Sequence, residues 1–233
     1  MNDYSKYISA ETLMGPCSIR ILSELFERHP LQLPAGAEVL DLGCGKGLTS
    51  LMTARETGAH VVAADLWITA EDNLQRFAGW GMGAVITPVH TDANELPFEK
   101  ASFDGMVSVD SYHYYGGEKG FLEEKILPFM KSGAEILIGI PGIKNGYTGR
   151  SDELLADWLG EDAHMFKSAA QWNEILGRAG SIEDFEVWEM DCFEEPWDDW
   201  FNSGHEFAIG DKKFFDTLIK PYTCFVGIYM KLK

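Results

Sequence analysis

Apolar positions near the start of the chain recur at helical spacing: Leu13, Cys17, Ile21 and Leu25, with Ile19, Leu22 and Phe26 beside them. The spacing predicts a helix over Ala10–His29, broken or restarted at Gly15-Pro16, and then a connector over Leu31–Gly36. From there the pattern alternates. Glu38–Leu42, His60–Asp65, Ala84–Val89, Phe103–Val109, Ala134–Ile140, Phe185–Glu189 and Thr223–Leu232 read as strands. Leu48–Thr57, Ile68–Trp80, Glu118–Met130 and Ala169–Ala179 read as helices. Strands and helices in this rhythm predict a single α/β domain over residues 1–233, with a mostly parallel, doubly wound sheet covered on both faces. Residues 143–167 and 190–221 break the rhythm and read as small cap elaborations over the sheet's carboxyl edge. Residues 1–30 read as a lid and its helix.

Composition narrows the class. With 45% apolar residues and 14 Phe, 8 Tyr and 7 Trp, the chain has ample surface to bury and is not disordered. Its formal charge of −18 repels phosphate backbones and anionic headgroups, which argues against nucleic-acid and membrane-surface binding. A neutral or cationic partner is expected. Cys17, Cys44, Cys192 and Cys224 are far apart and form no C-x-x-C pair, so neither a metal site nor a disulfide framework is expected. The first residues carry no apolar signal region and no run approaches a membrane span. A cytoplasmic protein is therefore expected, with its oligomeric state, a homodimer included, left open.

The sharpest chemical signal is Glu38-Val39-Leu40-Asp41-Leu42-Gly43-Cys44-Gly45-Lys46-Gly47. A strand runs into a glycine-rich turn that opens a helix, where backbone can approach a ligand closely. The dinucleotide pattern G-x-G-x-x-G/A is not met, because its sixth position is Leu48. Asp41, two residues before the first glycine, would repel a diphosphate and welcome an ammonium group. That spacing and that acid argue against an NAD-type oxidoreductase. Asp65 ends the second strand 22 residues beyond Gly43, at a spacing suited to accepting ribose hydroxyls. Leu66 and Trp67 follow it and can press on an adenine face. Asp92, just after the third strand, can receive an adenine amino group or serve as a turn acid.

These segments, with Asp92-Ala93, Leu96-Pro97-Phe98 and Ser102-Phe103-Asp104, resemble the class I S-adenosylmethionine-dependent methyltransferases, over roughly Pro34–Gly142. The N-terminal segment and Asp110–Tyr115 are similar to its small-molecule, cyclopropane-fatty-acid-synthase-like branch. The resemblance implies a Rossmann-like sheet of seven strands whose last strand is antiparallel. It also implies S-adenosylmethionine as cofactor, S-adenosylhomocysteine as product and a small-molecule methyl acceptor, with nitrogen or oxygen ahead of carbon as the receiving atom. Cofactor contacts are then expected at Asp41, Gly43, Cys44, Gly45, Asp65, Leu66, Asp92, Ala93 and Asp110, the last toward the methionine ammonium. His113, at a strand's carboxyl end, suits a general base, or else packs among Tyr112, Tyr114 and Tyr115. Tyr7 resembles a lid aromatic able to orient the methyl group. A non-catalytic cofactor-binding protein is the alternative that the sequence leaves standing.

Overall fold

A computed structural model describes residues 2–177 and 179–233. Met1, the first residue of the expected lid, and Arg178, inside the helix expected over Ala169–Ala179, lie outside the described residues. Seven strands form one sheet: β1 Glu38–Leu42, β2 His60–Asp65, β3 Ile86–His90, β4 Phe103–Val109, β5 Met130–Ile143, β6 Ile182–Glu189 and β7 Thr223–Leu232. Their order is β3-β2-β1-β4-β5-β7-β6, and β7 runs antiparallel to both β5 and β6. The four pairings among β1 to β5 are parallel, so the carboxyl ends of those strands share one edge.

Alternation along the strands divides the core into two layers. On β5, Ile136, Ile138 and Ile140 face one cluster with Trp172 and Leu176, while Leu137 faces the other with Leu25 and Leu51. The helices that supply these partners are α1 Ser18–Arg28, α2 Leu48–Thr57 and α6 Ala169–Leu176. Helix α3 Ala70–Gly79 contributes Phe77 to a third cluster beneath β2 and β3. Burying these aliphatic side chains contributes about 1.5–3 kcal/mol each.

Several expected boundaries shift. The expected helix over Ala10–His29 begins only at Ser18, because residues 9–16 turn before Pro16. Glu118–Met130 is not one α-helix but a π-helical turn over Leu122–Ile126 and a 3-10 turn over Leu127–Phe129, with Pro128 unable to donate to a continuing ladder. Strand β5 is twice the expected length. Pro141-Gly142 does not close it, since the antiparallel ladder to β7 carries it on to Ile143.

The two cap elaborations meet each other. The first holds the short helices α4 Ser151–Leu154 and α5 Ala156–Leu159, the second α7 Glu194–Asn202 and α8 Glu206–Lys212. The Asp211 carboxylate joins them, accepting the indole N–H of Trp158 through Oδ1 and that of Trp200 through Oδ2, both at 2.9 Å. Among the described residues no helix is long and apolar enough to cross a membrane.

Candidate functional site

A cleft of about 1020 Å³, open to solvent, lies over the carboxyl ends of β1, β2 and β4. In parallel α/β sheets that edge collects the loops, so ligands settle there. The turn after β1 builds its floor. Gly43 has φ +73° and lies against Ser111, whose Oγ would sit 1.8 Å from any added Cβ. Only glycine fits that close approach in a left-handed backbone. Ser111 Oγ in turn lies 2.9 Å from the Tyr115 hydroxyl.

Of the residues expected from sequence, Gly43, Cys44, Gly45, Asp65, Leu66, Asp92, Ala93 and Asp110 line this cleft. Asp65 is held firmly. Its Oδ2 accepts the Gly45 amide at 2.7 Å, and its Oδ1 accepts the amides of Trp67 and Ile68 at 2.7 and 2.8 Å. Three of the carboxylate's roughly four acceptor positions are thus engaged, leaving about one for a ligand hydroxyl. Asp92 accepts the backbone and side-chain N–H of Asn94, which hold its carboxyl below the usual range. Cys44 lies on the cleft wall as a nearly buried thiol, and burial raises its pKa well above the usual value, so it stays protonated and inert.

Asp110 differs from the other acids. Its backbone is left-handed, φ +55°, a strain that a non-glycine residue holds only when its surroundings impose it. No described donor occupies its carboxylate, and burial, then the charge of Asp211, push its pKa up to about 7. A cation in the cleft would relieve both effects.

Three expected residues do not line the cleft. Asp41 is fully buried behind the glycine turn, where it accepts the hydroxyls of Thr49 and Ser50, both at 2.6 Å. It fastens the first turn of α2 to β1, and burial raises its pKa to about 6. Asp110, by contrast, lines the cleft. Tyr7 is 9% exposed and packs edge-on against Trp80 at 5.4 Å, with Arg55 donating to its hydroxyl at 2.6 Å. Its ring is part of a core cluster and does not line the cleft. His113 is 4% exposed and packs its ring, tilted, on Tyr114 at 4.1 Å, with Phe166 edge-on at 6.0 Å. Burial, then the charge of Lys167, lower its pKa to about 3, so it is neutral but a weak base.

The N-terminal segment does reach the cleft, but through other residues. Tyr4 donates to Glu56 at 2.7 Å, and with Tyr7 it anchors the segment on α2. Thr12, Leu13, Met14, Gly15, Pro16 and Ser18 then form the cleft wall. The helix break at Gly15-Pro16 was the one sequence sign of them. Tyr114 and Trp67 rim the mouth as an edge-to-face pair 5.5 Å apart. Among the described residues no group of His, Cys, Asp and Glu could hold a metal ion.

Residues 39–125 match the family described as "Methyltransferase domain". The chain is 35% identical over 121 residues to a demethylmenaquinone methyltransferase of Clavibacter sepedonicus, covering 48% of this chain and 47% of that protein. It is 30% identical over 125 residues to a sarcosine/dimethylglycine N-methyltransferase of Aphanothece halophytica, covering 53% and 44%. The aligned stretch thus spans about half the length of these curated relatives. Geranyl diphosphate C-methyltransferase from Streptomyces coelicolor A3(2) shares the fold, with TM-score 0.71 over 93% of this chain and 78% of that one, at 16% identity. The likeness to class I methyltransferases read from Asp41–Gly47, Asp65 and Asp92 is borne out, as is the seven-stranded sheet with its reversed last strand.

Proposed function

We propose that this protein binds S-adenosylmethionine in the cleft over β1, β2 and β4 and transfers its methyl group to a small-molecule acceptor. The observation that carries this reading is Asp65, fixed at the end of β2 by the Gly45, Trp67 and Ile68 amides, beside a glycine turn lying against Ser111. A ribose needs such an acid, and the methionine portion needs such a turn.

The cleft's residues fit this cofactor better than a dinucleotide. Among the described residues, Asp65, Asp92 and Asp110 line it against a single cationic side chain, Lys46, which is unfavourable for a pyrophosphate and favourable for a ligand bearing ammonium and sulfonium charges. Asp110 would take the ammonium, Asp65 a ribose hydroxyl, and Asp92 with Ala93 the adenine edge, while Leu66 packs on the adenine face. When bound, the cofactor supplies an electrophilic methyl group and a neutral thioether leaving group. The protein's part is alignment and exclusion of water, supplied by the wall Thr12–Ser18 and the ring pair at the mouth.

The named acceptors of the two curated relatives are small molecules, which supports the same class here. Calorimetric titration of the full chain with S-adenosylmethionine and with NAD tests the binding. S-adenosylhomocysteine formation, scored against metabolite pools, tests turnover. Micromolar binding of S-adenosylmethionine with none of NAD is expected. Tighter binding of NAD overturns the reading, and cofactor binding with no turnover on any pool leaves the non-catalytic alternative.

A further inference from the structure

His113, Trp158 and Asp211 do not line the cleft, yet they belong to a run of contacts that joins its two sides. On one side the rim residue Tyr114 packs on the His113 ring at 4.1 Å, and His113 meets Phe166 edge-on at 6.0 Å. Phe166 in turn meets Trp158 of α5 edge-on at 5.6 Å. The first insertion, residues 143–167, is therefore seated against the rim through rings. On the other side the wall Thr12–Ser18 is seated on the second insertion, residues 190–221. The Cys17 amide donates to the Pro196 carbonyl at 2.9 Å, and Arg20 pairs with Asp199 at 2.8 Å. Pro196 and Asp199 both stand on α7, as does Trp200.

Asp211 links the two runs. Its Oδ2 accepts the Trp200 N–H within the second insertion, and its Oδ1 accepts the Trp158 N–H across to the first. Trp200 is 1% exposed, so the acid is anchored on the α7 side and reaches over to Trp158. Where the insertions leave the sheet they are also joined, Lys144 donating to the Lys220 carbonyl at 2.7 Å. That leaves their middles to be held by Asp211 and by the Trp158–Trp197 ring contact at 6.0 Å. Gly149 and Gly160 bracket the helices of the first insertion with φ of +77° and +60°, and an added side chain at either would meet nothing within 4 Å. Backbone conformation, not crowding, calls for glycine there, as at a hinge.

We propose that the Trp158–Asp211 bond is a clasp between the two insertions that sets how fast the cofactor enters and leaves the cleft. This rests on the methyl-transfer reading above. With the bond made, Tyr114 and the wall Thr12–Ser18 are held at a fixed separation. With it broken, the first insertion swings on Gly149 and Gly160, draws Phe166 and His113 with it and widens the mouth. His113, buried and neutral, thereby has a place as the spacer between that insertion and Tyr114. Closure of this kind keeps water from the reacting centre, and its opening times exchange. Because neither partner of the clasp lines the cleft, its release changes entry and exit together and leaves affinity alone.

Trp158→Phe removes the N–H, keeps a ring against Phe166 and Trp197, and leaves the Asp211 charge in place. Stopped-flow tryptophan fluorescence follows S-adenosylhomocysteine entering and leaving the full chain in the wild type, Trp158→Phe and the control Phe207→Ala, an exposed ring of α8 outside these contacts. In Trp158→Phe both rates should rise about tenfold, the usual worth of one hydrogen bond to a charged group, with Kd within about threefold. The control should exchange as the wild type does. Amide hydrogen exchange of the unloaded chain gives a second reading, taken on Trp158→Phe and on Asp211→Asn, whose single oxygen must serve two indoles. Residues 12–18 and 112–115 should both exchange faster while β1 does not. A lower melting temperature with unchanged rates overturns the proposal, because the bond is then structural alone. Faster dissociation with no faster association overturns it too, by giving Trp158 a share in affinity, as does faster hydrogen exchange confined to residues 150–166. Failure of the wild type to bind S-adenosylhomocysteine sinks the methyl-transfer reading instead, while the coupling of the two sides is still read by hydrogen exchange.

Discussion

A side chain placed on Gly15 would begin 2.8 Å from Oδ2 of Asp110. The break in the N-terminal helical pattern and the acid after β4 therefore lie against each other in the wall of the cleft. Gly15 is not among the glycines with left-handed backbone, so alanine can be introduced there without backbone strain. Gly15→Ala should push Asp110 aside and weaken S-adenosylmethionine binding by about tenfold, in line with the usual cost of one added methyl in a tight contact. Its melting temperature should stay within a few degrees of the wild type. Calorimetry and thermal melts check both, and unchanged affinity would show that Asp110 does not meet the cofactor.

Asp65 offers about one free acceptor position, so a single charge-assisted bond to ribose is at stake. Asp65→Asn should weaken cofactor binding by about 10- to 150-fold, from roughly 1.5–3 kcal/mol. Asp65→Ala should lose more, because the Gly45, Trp67 and Ile68 amides also lose their acceptor. Titration of both variants would contradict this if neither changed affinity by threefold.

The raised pKa of Asp110, about 7 against an ordinary 3.8, gives two opposite pH dependences. The folded chain holds this proton more tightly than the unfolded chain does. Its contribution to stability therefore falls as pH rises from about 4 to about 7 and is flat above that. Asp110→Asn should gain on the wild type across that window in denaturant melts. Cofactor affinity runs the other way, since an ammonium needs the ionised acid. It should rise about tenfold between pH 6 and pH 8 in the wild type and stay level in Asp110→Asn.

His113 carries a different expectation from the one its position in sequence invites. With its pKa lowered to about 3 by burial, it is neutral throughout the working range. His113→Phe keeps a ring against Tyr114 and Phe166 and should retain turnover within about threefold. No rate midpoint near 6.5 should disappear with the imidazole. A hundredfold loss of kcat together with such a midpoint would restore it as a general base.

Tyr7 tests whether the N-terminal segment is a loose lid or part of the core. Tyr7→Ala removes a ring packed on Trp80 and the acceptor of the Arg55 bond, and should cost about 3–5 kcal/mol of stability, as large buried rings do. Tyr7→Phe keeps the ring and should cost about 1 kcal/mol. Turnover per folded molecule should survive in Tyr7→Phe, which chemical denaturation and active-site titration separate.

Strand boundaries were legible where apolar runs were bounded by glycine or charge: β1, β2, β4 and β7 fall where the pattern puts them, as does α2. The extension of β5 was hidden, because Pro141-Gly142 reads locally as a stop and only the pairing with distant β7 overrides it. The glycine turn, Asp65, Asp92 and Asp110 come together in one cleft because each stands at the carboxyl end of a strand that the apolar pattern marks. Asp41, expected at a ligand from its place before the turn, is buried and does not line the cleft. Sequence shows an acid near the turn, but the direction of its side chain depends on the Thr49 and Ser50 hydroxyls one helical turn later. Tyr7 and His113 were read by position along the chain, whereas their burial is decided by Trp80 and Phe166, far away in sequence.

The placement of β7 between β5 and β6 bears on how the chain is made. It follows both neighbours in sequence, yet its ladders are what join them. During synthesis β5 therefore presents an open edge, and β6 has no partner in the sheet, until residues 223–232 emerge. Unpaired edges of this kind invite pairing with other chains. Both open strands are exposed together only in the interval just before those residues are available. A chaperone or a slow final stretch of translation would act on that interval, and substitutions that weaken β7 would lower soluble yield more than they lower the stability of the finished fold.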